Sequence, residues 1–143
     1  MRTNFYGLDL IKTFEGLRLE AYLCPAGKWT IGYGRARGVH EGDTITKAQA
    51  DAMLEDDLEV FEEGVRSALH GAPATDNQFS AMVCLAYNIG LGNFLKSAVL
   101  RDHKAAHYPL AANDFLNWRK VNGEVCHGLE RRRLAERDLY LRG

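Results

Sequence analysis

The sequence FEGLRLEAYLCPAGKWTIGYG, at residues 14–34, contains the strongest signals of the chain's architecture. Apolar residues recur at helical spacing up to Phe14, and Gly16 predicts that this helix ends near Glu15. Apolar and polar residues then alternate, a turn-forming Pro-Ala-Gly-Lys segment follows, and residues 29–33 have the composition of a returning strand. The stretch therefore predicts a short helix that is followed by a β-hairpin.

Helices dominate the prediction for the rest of the chain. Thr46 and Gln49, and again Thr75 and Gln78, have the spacing of a capping box, so a helix is expected to begin after each Thr. The first is amphipathic and continues to Leu69, whereas the second is apolar almost all round, which predicts a central buried helix. Three further helical segments are expected at residues 94–100, 110–118 and 129–141. The predicted fold class is therefore α+β, mostly α, with one small sheet.

The composition is that of one ordinary globular domain. The chain has 143 residues, of which 46% are apolar and 26% charged, and these values exclude collagen-like, disordered and disulfide-scaffold proteins. The net charge is −1, although residues 41–63 are acidic and residues 119–142 are basic. A chain without a strong overall field is a poor candidate for binding nucleic acid.

The sequence contains no recognisable redox or metal-binding motif. Cys24, Cys84 and Cys126 form no Cys-x-x-Cys pair, and the i, i+4 pair His103 and His107 lacks the rest of a zinc motif. We therefore expect a reducing compartment, no metal, no cofactor, a buried Cys84 and a Cys126 that lies in a loop. Charged residues interrupt the N-terminal stretch, so neither a signal peptide nor an integral membrane segment is expected.

Three residues of the opening stretch have side chains suited to acid catalysis. Glu15 is predicted to lie at a helix C-terminus, where the negative end of the helix dipole favours a protonated, acid-capable carboxyl group. Cys24 is expected where the first strand meets the turn, and Thr30 on the returning strand. A hydroxyl such as that of Thr30 can orient a water molecule without bearing charge. A hairpin folded against the helix could bring the three together.

The motifs around these residues resemble those of phage-type lysozymes, the endolysins of glycoside hydrolase family 24. That family carries Glu, eight residues, Asp or Cys, five residues and Thr, and Glu15, Cys24 and Thr30 stand at those offsets. The segments TDNQFSA, YNIG and GLERRR resemble the family's core and final helices. The resemblance spans residues 10–141, which is nearly the whole chain.

The resemblance implies a lysozyme-like fold in a single domain, residues 1–143. A small β lobe is expected at residues 15–45 and a connecting helix at residues 46–70. The helical lobe would comprise residues 71–143 and the N-terminal helix. The implied reaction is hydrolysis of the β-1,4 bond between N-acetylmuramic acid and N-acetylglucosamine in peptidoglycan, for host-cell lysis.

The resemblance also implies partners, a location and residue roles. The partner would be the peptidoglycan glycan strand, and the enzyme would be a monomer that is made in the host cytoplasm. It would reach the wall in the periplasm through a separate pore-forming holin. Glu15 would be the general acid, and Thr30 would position the attacking water together with Cys24, which stands where many members have Asp.

Four further residues are expected to bind substrate or support the site: Tyr33, Gly34, Arg35 and Arg131. Arg35 stands where members of the family commonly have His. It could pair with a carboxylate of the acidic helix or contact a carboxylate of the substrate. In the family an Arg in the first turn of the last helix approaches the catalytic Glu, and Arg131 is the best match.

Several alternatives stay open at this stage. A catalytically silent peptidoglycan-binding protein of the same fold would also account for Cys24 and Arg35. The arginines at residues 131–133 are interpreted as a solvated helix face with Glu partners, although they could also contact an anionic wall or nucleic acid. Tyr22, Trp29 and Tyr33 could stack on sugar rings or pack inside the fold.

Overall fold

The computed structural model describes residues 1–143 and divides the chain into two compact units. The first, which we call the hairpin unit, comprises residues 11–59. The second, the helical unit, comprises residues 1–10 and 60–143. Helices α1 (Phe5–Glu15) and α2 (Lys47–Leu69) each contribute residues to both units.

The hairpin unit contains the predicted β-hairpin. Strands β1 (Arg18–Leu23) and β2 (Trp29–Gly32) pair antiparallel, with Tyr22 opposite Thr30 and an irregularity earlier in β1. A short segment at residues 43–45 also pairs with β1 through backbone hydrogen bonds. The prediction of a helix end at Glu15 followed by a hairpin is thereby confirmed.

Helix α2 begins with the predicted capping box. The backbone NH of Thr46 donates to Oε1 of Gln49 at 2.8 Å, and the backbone NH of Gln49 donates to Oγ1 of Thr46 at 3.1 Å. Apolar residues at steps of four, Ala50, Leu54 and Leu58, are almost fully buried. The remaining faces of the helix carry most of its carboxylates, so the predicted amphipathic helix is confirmed.

The helical unit is built around α3 (Asp76–Ile89), which packs against α7 (His127–Leu141). A second capping box, between Thr75 and Gln78, begins α3, as predicted. Residues 78–86 are all buried, which confirms α3 as the central helix. Cys84 is buried too, and its thiol donates to the carbonyl of Gly7 at 3.3 Å.

The structure corrects two predictions in the segment between α3 and α7. Residues 94–100 form two helices, α4 (Leu91–Leu95) and α5 (Ala98–Lys104), because the Ser97 hydroxyl accepts from the backbone NH of Leu100 and so begins a new helix. Helix α6 (Tyr108–Asp114) then leads into a 3₁₀ turn (Phe115–Trp118).

The second correction is an additional hairpin. Strands β3 (Lys120–Val121) and β4 (Glu124–Val125) pair antiparallel, so the fold has two small sheets where one was expected. Asn122 and Gly123 connect them with positive φ angles of 51° and 83°. Asn-Gly is the preferred pair for such a two-residue turn, so the sequence did contain the signal.

The prediction of a solvated arginine face at residues 131–133 is wrong for two of the three residues. Arg132 and Arg133 are 5% and 0% exposed, and only Arg131 lies at the surface. Glu136, itself 1% exposed, pairs with both: Oε1 lies 2.8 Å from Nε of Arg133, and Oε2 lies 3.5 Å from Nε of Arg132. Buried cations require such a counter-ion, and this one follows one turn later on α7.

None of the helices combines the length and the apolar character that crossing a lipid bilayer requires.

Candidate active site

Glu15 is the last residue of α1, as predicted from Gly16. The backbone NH of Gly16 closes the final helical turn by donating to the carbonyl of Lys12 at 3.0 Å. The Glu15 side chain is half-buried. The carboxyl group is therefore attached to the rigid end of a helix, as a group with a defined catalytic position requires.

Cys24 and Thr30 meet at the turn of the first hairpin. The backbone NH of Cys24 and the hydroxyl of Thr30 both donate to the carbonyl of Lys28, at 2.9 and 3.1 Å. Thr30 is 5% exposed, whereas the Cys24 thiol remains half-exposed. Lys28 thus joins the two predicted site residues through its backbone.

This turn favours ionisation of the thiol. A hydrogen bond with the Lys28 backbone lowers the pKa of Cys24 below its ordinary value, partial burial opposes the shift, and the Thr30 hydroxyl adds to it. The hydroxyl has a single proton to donate, which goes to the Lys28 carbonyl while Cys24 is a thiol. The same proton can stabilise a thiolate, so Thr30 is able to serve either protonation state of Cys24.

The strand register relates Glu15 to this turn along the chain. Arg18, three residues after Glu15, lies opposite Gly32, two residues after Thr30. Glu15, Cys24 and Thr30 all belong to the hairpin unit, residues 11–59.

Tyr33 packs inside the fold. It is 6% exposed, and its hydroxyl donates to Oδ1 of Asp51 on α2 at 3.2 Å. Tyr22 and Trp29 are half-buried, and the guanidinium of Arg18 lies 4.2 Å from the centre of the Tyr22 ring. Of the two roles considered for Tyr33, stacking on a sugar ring or packing inside the fold, the structure shows packing.

Gly34 makes a tight reversal after β2. Its φ of 96° lies in a region that favours glycine, and the backbones of Ile31 and Arg35 exchange two hydrogen bonds across the reversal, at 2.9 and 3.0 Å. Arg35 follows directly after this reversal, five residues after Thr30 in the chain.

Arg35 pairs with a carboxylate of the acidic helix, which was one of its two predicted partners. Its Nη2 and Nε lie 2.7 and 3.0 Å from the two carboxylate oxygens of Asp57. Nη2 also donates to the carbonyl of Met53, and Asp56 lies at 3.5 Å. The hydrogen bond with Asp57 raises the pKa of Arg35, so the guanidinium is a fixed part of this pair.

Arg131 lies in the helical unit, near the start of α7, with an exposed side chain. Its approach to Glu15 stays a prediction. Arg133, the more deeply buried of the two buried arginines of this helix, donates to Oδ1 of Asn88 at 2.9 Å and to Glu136.

The helical unit contains an open cleft of about 540 Å³ that sequence analysis missed. Amide side chains, an indole and an ammonium group line it: Asn88, Asn93, Asn117, Trp118 and Lys120. These are groups that bind and stack on polar, ring-shaped ligands. They come from four separate segments, and no periodic pattern connects them in the sequence.

No His, Cys, Asp and Glu side chains cluster as a metal site would need. His103, the first residue of the i, i+4 histidine pair, is buried and bonds to Pro73 and Tyr140. Burial lowers the pKa of His103, and its Nε2 lies 2.9 Å from the carbonyl of Pro73, to which it must donate; the neutral ring then accepts at Nδ1 from the Tyr140 hydroxyl at 2.6 Å. His103 therefore has a structural role as a neutral ring.

Comparison with known proteins identifies the family. The model of the phage lysozyme family matches residues 12–136. The endolysin of Bacillus phage B103 is 44% identical over all of this chain, which spans only 55% of that relative. The endolysin of Acyrthosiphon pisum secondary endosymbiont phage 1 is 41% identical, and 98% of each chain is covered.

A solved structure agrees with this result. The muramidase domain of SpmX from Asticaccaulis excentricus superposes with a TM-score of 0.91 at 40% identity, covering 98% of this chain and 97% of that one. The predicted α+β, mostly helical fold class is confirmed by this match. The chain therefore belongs to the phage lysozyme family and has the lysozyme-like fold.

Proposed function

We propose that the protein is an endolysin that hydrolyses the β-1,4 bond between N-acetylmuramic acid and N-acetylglucosamine in bacterial peptidoglycan. The observation that carries the proposal is the turn at which Cys24 and Thr30 share the Lys28 carbonyl, in the same unit as Glu15. Family membership supports it, as do the relatives named endolysin and the neighbour named a muramidase domain.

Glu15 is the general acid of the proposed reaction. It gives its proton to the glycosidic oxygen while the bond to the anomeric carbon breaks and positive charge develops on the sugar. A carboxyl group at a helix end suits this role because its position is fixed before substrate arrives.

Thr30 and Cys24 hold the attacking water in the proposed mechanism. The Thr30 hydroxyl can orient the water, and the water's oxygen then bonds to the anomeric carbon. The proton that the water loses needs an acceptor, and the proposal assigns this role to the thiolate form of Cys24, whose pKa is lowered at this turn. The lowered pKa of Cys24 supports the proposal that this thiol takes the role of the Asp that many members of the family have at this position.

The cleft of the helical unit supplies a second surface for sugar. Its amide side chains can bond to hydroxyl and N-acetyl groups, and the Trp118 indole can stack on a ring. We assign it a contact with glycan and no part in bond cleavage.

The cellular context is proposed from the same resemblance. The enzyme acts as a monomer on peptidoglycan strands, after synthesis in the host cytoplasm and passage to the periplasm through a separate holin. Its release should then require the pore-forming partner and should fail in cells that lack one.

A catalytically silent peptidoglycan-binding protein is the second candidate. The observation that favours it is Cys24 itself, since a thiol is a weaker base and a weaker electrostatic stabiliser than a carboxylate unless it ionises. Both candidates predict binding to peptidoglycan, but only the endolysin predicts cleaved glycan with new reducing ends.

The test measures new reducing ends and loss of turbidity in a suspension of permeabilised Gram-negative cells. We expect Glu15→Gln to lose about 100-fold or more of the native rate, as removal of a general acid does. Glu20→Gln, at an exposed Glu on β1, is the matched control and should keep the native rate.

Cys24→Ala, assayed with and without reductant, separates the roles at the turn. A rate well below that of the native protein supports a thiol that acts on water, and recovery of oxidised native protein with reductant supports the same conclusion. Binding to walls without new reducing ends, in both the native protein and Glu15→Gln, would replace the endolysin proposal with the silent binder.

A further inference from the structure

Asp51 on α2 is the meeting point of three side chains in the hairpin unit. Its Oδ1 lies 3.2 Å from Nζ of Lys12 and accepts from the Tyr33 hydroxyl, also at 3.2 Å. Its Oδ2 lies 2.9 Å from Nζ of Lys47. One carboxylate therefore contacts α1, the segment after β2, and its own helix.

Two of these partners belong to the segments that carry the proposed catalytic residues. Lys12 lies on α1, three residues before Glu15, and its carbonyl closes the helical turn that ends there. Tyr33 follows Thr30 by three residues, on the reversal that continues from β2. The Asp51 oxygen that joins Lys12 and Tyr33 thereby joins the Glu15 segment to the Thr30 segment.

We propose that Asp51 is a positioning residue for the hydrolysis of peptidoglycan, and that it acts by fixing the end of α1 against the segment after β2. The proposal rests on the proposed function, in which Glu15 and Thr30 act on the same bond. Asp51 itself contacts neither substrate nor the reacting atoms in this proposal.

The charges at this point keep the connection in place. The ammonium groups of Lys47 and Lys12 hold the pKa of Asp51 down at about 2, so the carboxylate is ionised throughout the range in which wall hydrolysis is assayed. The Lys12 ammonium also lies 5.6 Å from the centre of the Tyr33 ring, a distance at which a cation is attracted to the ring face. Lys12 and Tyr33 thus contact each other as well as Asp51.

The expected effect falls on turnover and not on folding. Asp51 and Lys12 are both 33% exposed, and ion pairs with that much access to water contribute little to stability. A small displacement of a catalytic group can nevertheless reduce a rate by about 100-fold. Loss of Asp51 should therefore separate activity from stability.

The experiment compares Asp51→Asn, Asp51→Glu and Glu55→Gln on solubilised, uncross-linked glycan strands, with kcat and KM taken from the release of reducing ends. Asp51→Asn should lower kcat by about 10- to 100-fold and leave KM within about twofold, because binding groups are untouched. Asp51→Glu keeps the carboxylate and should recover most of kcat. Glu55→Gln removes an exposed charge one turn away on α2 and should match the native enzyme.

Two single substitutions on the partners keep the proposal testable even if Asp51→Asn does not fold. Tyr33→Phe and Lys12→Gln should each lower kcat by a smaller factor, and each should have less effect when combined with Asp51→Asn than alone. A native kcat in Tyr33→Phe and Lys12→Gln, or a fall in kcat that follows a fall in the urea midpoint, would overturn the proposal.

Glu15→Gln, measured in the same assay, distinguishes the two levels of inference. An inactive Glu15→Gln beside a fully active Asp51→Asn would refute the positioning role and leave the endolysin proposal standing. A Glu15→Gln with native kcat would refute the proposed chemistry, whatever Asp51→Asn does.

Discussion

Two ion-pair clusters, one in each unit of the chain, differ in how deeply they are buried. In the helical unit, Arg132, Arg133 and Glu136 form a cluster that is at least 95% buried. In the hairpin unit, the pair between Lys12 and Asp51 is one-third exposed on both sides. Burial raises the pKa of Glu136 against the pull of the two guanidinium groups, whereas lysines lower the pKa of Asp51 to about 2.

The depth of burial determines which property each cluster controls. A charge inside the protein has lost its hydration, so removing its partner leaves an uncompensated ion and costs much of the stability. A charge at the surface can return to water, so losing its partner costs little, and what is lost is a fixed orientation. We therefore expect loss of Glu136 to act on unfolding and loss of Asp51 to act on turnover.

The largest expected effect is that of Glu136→Gln. This change removes the carboxylate that pairs with the buried guanidinium groups of Arg132 and Arg133, and it should lower the free energy of unfolding by about 3–5 kcal/mol in urea titrations. Asp138→Asn removes an exposed charge two residues later on the same helix and should change the free energy by less than about 0.5 kcal/mol. Equal effects of the two would show that burial does not set the importance of these ion pairs.

A smaller effect is expected at the pair between Arg35 and Asp57, whose side chains are 20% and 18% exposed. Asp57→Asn removes the charge from a two-point ion pair and should destabilise the protein by about 1–2 kcal/mol. Arg37→Gln, at a side chain that is 77% exposed and 3.4 Å from the same carboxylate, should cost less than about 0.5 kcal/mol. The measurement is again urea unfolding, and an Arg37→Gln cost that matches that of Asp57→Asn would contradict the dependence on burial.

The smallest expected effect is a pH dependence that originates at His103. Burial lowers the pKa of His103 below its ordinary value, with the Pro73 carbonyl opposing the shift. The unfolded chain therefore binds a proton at a higher pH than the folded one, and stability falls as the pH drops below about 6.5. The loss should not exceed about 1.4 kcal/mol per pH unit, and unfolding curves between pH 7.5 and 5.5 will measure it.

Two variants isolate that pH dependence. Burial also raises the pKa of Asp114 to about 6, which adds stability as the pH falls through the same range and so opposes the histidine. His103→Gln should remove the destabilisation, and His107→Gln, at an exposed histidine, should retain it. An unchanged pH dependence in His103→Gln would assign the effect to another group.

Local signals in the sequence account for much of the fold. The capping boxes at Thr46 and Thr75 and the helix end before Gly16 are set by neighbouring residues, and the structure contains all of them. Ser97 and the Asn122–Gly123 turn are equally local signals, but Ser97 lies inside an apolar run and the turn inside a basic segment, and those broader patterns predict neither a helix start nor a hairpin.

Contacts between distant residues explain what the sequence could not provide. Residues 41–63 contain nine carboxylates that could pair with Arg35, and the sequence does not show that α2 places Asp57 next to it. Burial of Arg133 depends on Asn88, 45 residues away, and such a partner leaves no periodic pattern. Cys24 and Thr30 were predictable because only five residues of the hairpin separate them, whereas Lys12, Tyr33 and Asp51 lie in three separate segments of the chain.

The three cysteines differ in how a thiol-specific reagent would encounter them. None of the three forms a disulfide. The thiols of Cys24 and Cys126 are half-exposed, so both can be modified in the folded protein. Cys84 is enclosed in α3, and burial raises its pKa well above the ordinary range, so it is neither accessible nor nucleophilic until the helical unit opens. After the two accessible thiols have been blocked, the rate at which Cys84 becomes labelled reports how often the centre of this unit is exposed.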